Sequence, residues 1–520
     1  MTAFISILFW IMVAAAAFHA AYASVITSPL ILLYLFALLR LAQTDRWRKA
    51  FYSGLAVGLL IAAVRLGFFW TLFSGAAVTL WIIYAFWIGV FVALARLCLE
   101  RLGRRWGWVL IPFLWTGLEY FRSELYYLRF SWLNVGYAFA GTPWQGALRL
   151  VGTYGVGFLF VSLAAVAALL WHKFRIRALA LLLLGAGGIC LAAFLSGKES
   201  PTHATARVHV AGIQMEFPSE KEVLFRLKDV IHAHPDTQLV VLSECTFDGP
   251  VPASVTDWCR NKGRYLIVGG KDPALGATFY NTAYVVGPGG NIIFRQVKAV
   301  PIQFFKDGLP ALEQKVWESP WGKIGICVCY DLSYTRVTDR LVNLGAEAII
   351  VPTMDMAEWG RAQHEMHARI APVRATEYGL PLFRLASSGI SQLVDRTGCV
   401  MATAPCLRDG AMLAGTLEMR GCGSRPLDRW LAPFSTALTA AMIAWFLIRR
   451  GPGNRPPAGA ECRNVLSASR AEPQPDCAKR LECAELAPAI EPRLASDSAS
   501  KLDALQTLRA IHLRFRLGNS

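Results

Sequence analysis

Three residues, Glu244, Lys298 and Cys329, carry side chains that together would make a nucleophilic apparatus. A thiolate attacks acyl carbon, but a thiol near neutral pH needs a base or a neighbouring positive charge to become one. Glu244 can take the thiol proton, and Lys298 can stabilise first the thiolate and then the oxyanion of a tetrahedral intermediate. Taken singly, each has an ordinary explanation as a helix cap, a surface lysine or a core cysteine. Their setting singles them out, since each ends an apolar β-rich run: 239–243 before Glu244, 291–297 before Lys298 and 323–328 before Cys329. Cys327 is a competing nucleophile two residues earlier on the same strand face.

The surrounding pattern supplies elements to position such groups. From residue 206 onward, strand-like runs at 208–214, 238–243, 265–269, 282–287, 324–328 and 348–352 alternate with helical segments such as 220–234, 334–344 and 364–378. That alternation predicts a layered α/β domain, in which functional groups stand at the carboxyl ends of strands.

The rest of the chain reads differently. With 55% hydrophobic and 17% charged residues, the whole is too apolar for an ordinary soluble protein. Stretches near the ~20 residues that span a bilayer occur at 4–23, 25–43, 51–70, 75–97, 107–121, 150–171, 178–196 and 429–448. The fifth is the weakest, being short and ending in Glu119 and Arg122. Basic residues in alternate short loops put both termini in the cytoplasm and residues 200–425 on the outer face of the membrane. The first span lacks a basic leader and a cleavage site and reads as retained. The expected organisation is a transmembrane domain over 1–199 (about seven helices), a catalytic domain over 200–425, a last transmembrane helix over 426–448 and a cytoplasmic tail over 449–520. In the tail, 449–498 has the composition of a disordered linker, and 501–517 reads either as an amphipathic helix on the cytoplasmic leaflet or as a poorly ordered end.

Topology rather than nucleic acid accounts for the formal charge of +16, because the basic residues are spread over loops, domain and tail. Seven of the twelve cysteines fall in the outward domain, and an odd number in an oxidising compartment leaves at least one unpaired. No CxxC pair or His/Cys spacing points to a metal, and nothing calls for a cofactor.

The run Gly325-Ile-Cys-Val-Cys329-Tyr330-Asp331, with Glu244 and Lys298 upstream, resembles the nitrilase (carbon–nitrogen hydrolase) superfamily. The resemblance implies a four-layer α-β-β-α sandwich, with Cys329 as nucleophile, Glu244 and Lys298 completing a triad, and Tyr330 and Asp331 supporting it. The fold class expected is therefore a multi-span α-helical membrane domain plus an inserted α/β nitrilase-like domain. That insertion between membrane spans resembles the apolipoprotein N-acyltransferase family, as do segments 112–122, 131–137, 142–144, 152–159, 367–384, 388–391 and 395–398. The likeness covers residues 1 to about 448.

It implies N-acylation of apolipoproteins by way of a thioester on Cys329. The partners it implies are a phospholipid acyl donor such as phosphatidylethanolamine, a diacylglyceryl apolipoprotein acceptor and the membrane, without nucleic acid and as a monomer, in the inner membrane with the catalytic domain on the periplasmic face. A membrane-tethered amidase or hydrolase and a catalytically silent scaffold are the competing readings.

Two departures from the family pattern stand out. Its catalytic lysine is followed by a stretch carrying a supporting glutamate, whereas here Lys298 leads through Pro301 and Phe305 to Asp307 and Gly308. Asp307 is either the substitute or a turn residue. Asp331 likewise stands where the family has Glu. In the membrane half, Trp115, Trp132 and Tyr137 read equally as interfacial belt aromatics or substrate contacts, and Glu119 with Arg122 as a supporting pair or as interfacial charges.

Overall fold

The computed structural model of the protein describes residues 2–171, 173–196, 204–276, 278–406 and 410–448. The expectations for 449–520 lie outside the described residues. The membrane half contains α1 (Thr2–Ala23), α2 (Ile31–Leu41), α3 (Trp47–Arg65), α4 (Phe68–Phe73), α5 (Ala76–Arg101), α6 (Gly103–Tyr120), α7 (Ala147–Leu170) and α8 (Arg175–Ser196). The domain that follows carries α9 (Glu220–Ala233), α10 (Ala253–Lys262), α11 (Thr335–Asn343), α12 (Arg361–Ala368) and α13 (Ile370–Tyr378), and α14 (Asp428–Ile448) returns to the membrane helices.

Six of these, α1, α3, α5, α7, α8 and α14, are long and apolar enough to cross a bilayer, so the protein is a multi-pass membrane protein. The stretch at 25–43 does not form one long helix. Pro29 sits in a short 3-10 turn (Ser28–Leu30), leaving only the 11 residues of α2 behind it. The stretch at 107–121 lies inside α6, whose 18 residues include Arg104, Arg105, Pro112 and Glu119 and are less apolar than the other six. Close helix packing rests on small residues. A Cβ on Gly58 would stand 2.5 Å from the Cα of Ala85, bringing α3 onto α5, and one on Gly117 would stand 2.5 Å from the Ser435 carbonyl oxygen, bringing α14 onto α6.

The inserted domain is built on strands β1 (Ala206–Ile213), β2 (Leu239–Val241), β3 (Tyr265–Ala274), β4 (Thr278–Val286), β5 (Ile292–Val297), β6 (Val316–Ser319), β7 (Gly322–Ile326), β8 (Ala348–Thr353), β9 (Leu382–Ala386), β10 (Ser391–Val394), β11 (Val400–Ala404) and β12 (Met412–Met419). They form two six-stranded sheets, ordered β12-β1-β2-β3-β4-β5 and β11-β10-β9-β8-β7-β6. In the first, β1, β2 and β3 run parallel; in the second, β7, β8 and β9 do. Period-two alternation assigns the faces of the first sheet. Val210, Leu239, Val241, Ile267 and Val285 join one core with Ile324, Ile326 and Ile349 of the second sheet. Their alternates Ala211, Val240, Leu266, Val268 and Val286 pack instead with Val223 and Leu227 of α9 and Val255 and Trp258 of α10. Val337 and Leu341 of α11 and Ile370 and Val373 of α13 pack into the core that holds the second sheet. Helix, sheet, sheet, helix is the layer order, as the superfamily resemblance implied.

The helical run at 364–378 is divided between α12 and α13, and strands β6 and β9–β12 complete sheets of which the sequence patterning had marked only the centres.

Candidate active site

Strand β2 delivers Glu244 three residues beyond its end, and Gly269 of β3 makes room for the bend. A Cβ there would stand 2.6 Å from the Glu244 Cα. Lys298 follows β5 directly, its N–H donating to the Asn281 carbonyl of β4 at 2.8 Å. Both side chains are buried, and the Lys298 Nζ lies 2.7 Å from Glu244 Oε1 and 2.7 Å from Asp307 Oδ2. Asn281 Nδ2 donates to both carboxylates, at 2.7 Å to Glu244 and 2.8 Å to Asp307, while the Met354 N–H donates to Glu244 Oε2 at 2.8 Å. Asp307 therefore partners the lysine, where the sequence left open a mere turn. Burial opposes the Lys298 charge, but Asp307 and Glu244 outweigh it and raise its pKa well above the ordinary lysine value.

Cys329 opens the 3-10 turn Cys329–Ser333 three residues beyond the end of β7, with φ of +53°. A non-glycine residue there is strained, and the surroundings must hold it in place. Asp331 supplies part of that hold by accepting the N–H groups of Ala299 (3.0 Å), Val300 (2.7 Å) and Val328 (3.2 Å), which ties the cysteine turn to the segment after Lys298. Burial raises the Asp331 pKa to about 6, against the pull of those donors and of Lys298.

The Cys329 thiol contacts the Met354 carbonyl oxygen at 3.6 Å. Burial raises its pKa well above the usual thiol value; the Glu244 carboxylate adds to the rise, and Lys298 works against it. A thiol held neutral needs a base before it can act as a nucleophile. Cys327 is also fully buried, but it lines neither of the two clefts described below. All seven cysteines of the domain, at 245, 259, 327, 329, 399, 406 and 422, are unpaired.

Two clefts meet here. Cys329 and Tyr330 line the first, a cleft of ≈ 1000 Å³ walled by Phe69 and Leu72, by Leu80, Tyr84 and Trp87 of α5, and by Phe130, Trp132 and Phe304. Among the described residues no carboxylate lines it, and its cationic side chains are Arg122 and Arg129. The second, of ≈ 1160 Å³, is lined by Glu244, Lys298, Asp307, Asp248 and Lys271. Ile302, Phe305 and Trp359 line both.

The membrane half holds the cysteine turn from the other side. Trp132 Nε1 donates to Ser333 Oγ at 3.0 Å, Ser131 Oγ to the Ser333 carbonyl at 3.2 Å, and Glu124 accepts both the N–H and the hydroxyl of Thr335 at 2.9 Å. Tyr330 donates its hydroxyl to the Arg129 carbonyl at 3.3 Å. Trp115, Trp132 and Tyr137 are buried in this interior, so the belt reading does not describe them. Glu119 and Arg122 do not pair with each other either. Glu119 accepts the Val135 N–H at 3.0 Å and Arg122 donates to Asn134 Oδ1 at 2.7 Å, so both charges brace the 130–135 segment.

A further cluster adjoins Cys329. Asp355, just beyond β8, accepts from His367 Nδ1 at 2.7 Å and from Arg384 at 2.5 Å, and the His367 ring stacks on Trp132 with centroids 4.8 Å apart and planes 14° from parallel. Sequence reasoning missed Asn281, Asp355 and Arg384 as site components. Their one signal was polarity inside or directly after an apolar strand.

Comparison with known proteins divides the chain along the same lines. The family model described as "Apolipoprotein N-acyltransferase N-terminal domain" matches residues 12–166, and that described as "Carbon-nitrogen hydrolase" matches residues 229–421. Among curated relatives, an apolipoprotein N-acyltransferase of Shewanella oneidensis is 24% identical over 427 residues, covering 72% of this chain and 81% of its own. One of Geobacter metallireducens is 25% identical over 464 residues, covering 78% and 88%. Among solved structures, a carbon–nitrogen hydrolase from Helicobacter pylori aligns at 20% identity with a TM-score of 0.37, over 48% of this chain and 97% of its own.

Proposed function

We propose that this chain, a member of the apolipoprotein N-acyltransferase family, moves a fatty acyl group from a phospholipid to the N-terminal amine of a diacylglyceryl apolipoprotein by way of a thioester on Cys329. The observation that carries the reading is the placing of Cys329 in an apolar cleft made with membrane helices, while its charged partners Glu244, Lys298 and Asp307 line the other cleft.

In the first half-reaction Glu244 takes the thiol proton and the sulfur attacks the sn-1 ester carbonyl. Lys298 faces the developing oxyanion, the ester C–O bond breaks, and the glyceryl oxygen leaves with the proton held on Glu244. The products are the thioester and a lysophospholipid. In the second, the acceptor amine attacks the thioester, a C–N bond replaces the C–S bond, and the thiol is restored. Water would hydrolyse the intermediate, and a cleft walled by Phe69, Leu72, Trp87 and Phe130 keeps it dry. Arg122 and Arg129, with no carboxylate beside them in that lining, suit a donor bearing a phosphodiester.

The proposed setting is the inner membrane, with the catalytic domain on the periplasmic face and a single chain supplying every group named. The test uses purified protein in phosphatidylethanolamine vesicles with a synthetic peptide whose N-terminal cysteine is S-diacylglycerylated. The expected products are peptide heavier by one acyl chain and lysophospholipid in equal amounts. Turnover of small amides without lipid, and none of the peptide, would establish a hydrolase instead.

A further inference from the structure

The second half-reaction has a proton to dispose of that the first does not. An α-amine with an ordinary pKa near 8 is largely ammonium at neutral pH, and ammonium is no nucleophile. The amine to be acylated sits on the residue that carries the diacylglyceryl group, so it comes to Cys329 together with its lipid, on the apolar side. The titratable side chains lining that cleft among the described residues are Tyr84, Arg122, Arg129, Cys329, Tyr330 and His367. Once Cys329 is a thioester, His367 is the base among them that works near neutral pH.

Its geometry fits that use. Nδ1 faces Asp355 Oδ1 at 2.7 Å and, less closely, Arg384 Nη2 at 3.0 Å, the ring is fixed face to face on Trp132, and Asp355 is itself held by Arg384 and by Gln363 Nε2 at 3.0 Å. A carboxylate on Nδ1–H leaves the lone pair on Nε2. Burial lowers the His367 pKa, with Arg384 and Lys298 acting in the same direction and Asp355 against them, so the ring is neutral at pH 7.

We propose that His367 is the base of the transfer step, accepting at Nε2 the proton of the acceptor's α-ammonium group. This rests on the acyltransferase reading above. The freed amine attacks the thioester carbonyl and the C–S bond breaks. The second proton, from the nitrogen of the tetrahedral adduct, passes to Glu244 and from there to the departing Cys329 sulfur, while the imidazolium returns its proton to water as product leaves. The roles divide, with Glu244 serving both half-reactions and His367 only the second.

The experiment separates the half-reactions in His367→Gln and His367→Asn, using full-length protein, phosphatidylethanolamine with a labelled sn-1 chain and the S-diacylglyceryl peptide. Intact mass follows the rise of the acyl-enzyme without peptide and its decay after peptide is added. Acyl-enzyme should form within about twofold of wild type, which also shows that the variants fold, while transfer at pH 7 falls about 100-fold. The deficit should shrink as pH rises past the amine pKa. Transfer at the wild-type rate, or an equal fall in both steps, would overturn the proposal. Absence of any acyl-enzyme in the wild type would instead sink the reading it rests on.

Discussion

The two clefts, which share Ile302, Phe305 and Trp359, are built from opposite materials. The apolar one draws its walls largely from the membrane half and carries no carboxylate, whereas the polar one gathers Glu244, Asp307, Asp248, Lys271 and Lys298 from the inserted domain. A charge in a hydrocarbon wall is costly, so a catalyst needing a carboxylate base and an ammonium must keep them away from the lipid and still within reach of the sulfur. The Cys329 sulfur, on a strained turn, lines the apolar cleft, which shares three side chains with the polar one. On the polar side the buried Lys298 ammonium lies against both carboxylates, and Asn281 Nδ2 donates to each of them.

The sharpest way to break this division is at its polar side. Glu244→Gln should slow thioester formation by about 10³-fold or more, since a thiol whose pKa is raised by burial has lost its base. A time course of the acyl-enzyme by intact mass measures it. Asp307→Asn should cost less. Lys298 would then answer to Glu244 alone, and loss of one charge-assisted contact, about 1.5–3 kcal/mol, corresponds to about 10- to 100-fold in the same assay.

On the apolar side, Leu80→Trp should leave short acyl donors nearly unaffected and disfavour long ones by about 10-fold, read from competition between donors of two chain lengths. The smallest effect is on stability. Asp331 has a folded-state pKa raised to about 6, so its carboxyl binds protons more tightly in the fold than in the open chain. Its contribution is therefore fully present below the ordinary aspartate value near 4 and declines as pH rises toward 6. Thermal unfolding should register a decline on the order of 1–3 kcal/mol over that interval, weaker in Asp331→Asn.

The same contrast explains what the sequence could reveal. Strand centres such as 238–243 and 324–328 were legible because buried parallel strands read as continuous apolar runs, and the ends of those runs marked Glu244 and Cys329. Strands β10 and β11 escaped because Gln392 and Thr403 interrupt the pattern, and β6 because it is only four residues long. The spans expected at 25–43 and 107–121 fall on helices that are shorter or less apolar than the other six. Pro29 and the charged residues of α6 decide those helices, and neighbours inside the bundle cover them. Asp307 stood open between a substitute for the family glutamate and a turn residue, since its reach to Lys298 depends on how the 299–306 loop closes. His367 and Asp355, twelve residues apart, meet only through the fold.

The central claim is that one sulfur, that of Cys329 in the apolar cleft, carries the acyl group. It is tested most directly by exposing the protein to phosphatidylethanolamine labelled in its sn-1 chain and mapping the adduct by peptide mass spectrometry. The account predicts one labelled acyl chain on Cys329, none on Cys327, discharged on addition of the S-diacylglyceryl peptide. Label on Cys327, or a Cys329→Ala variant that still transfers the chain, would contradict it.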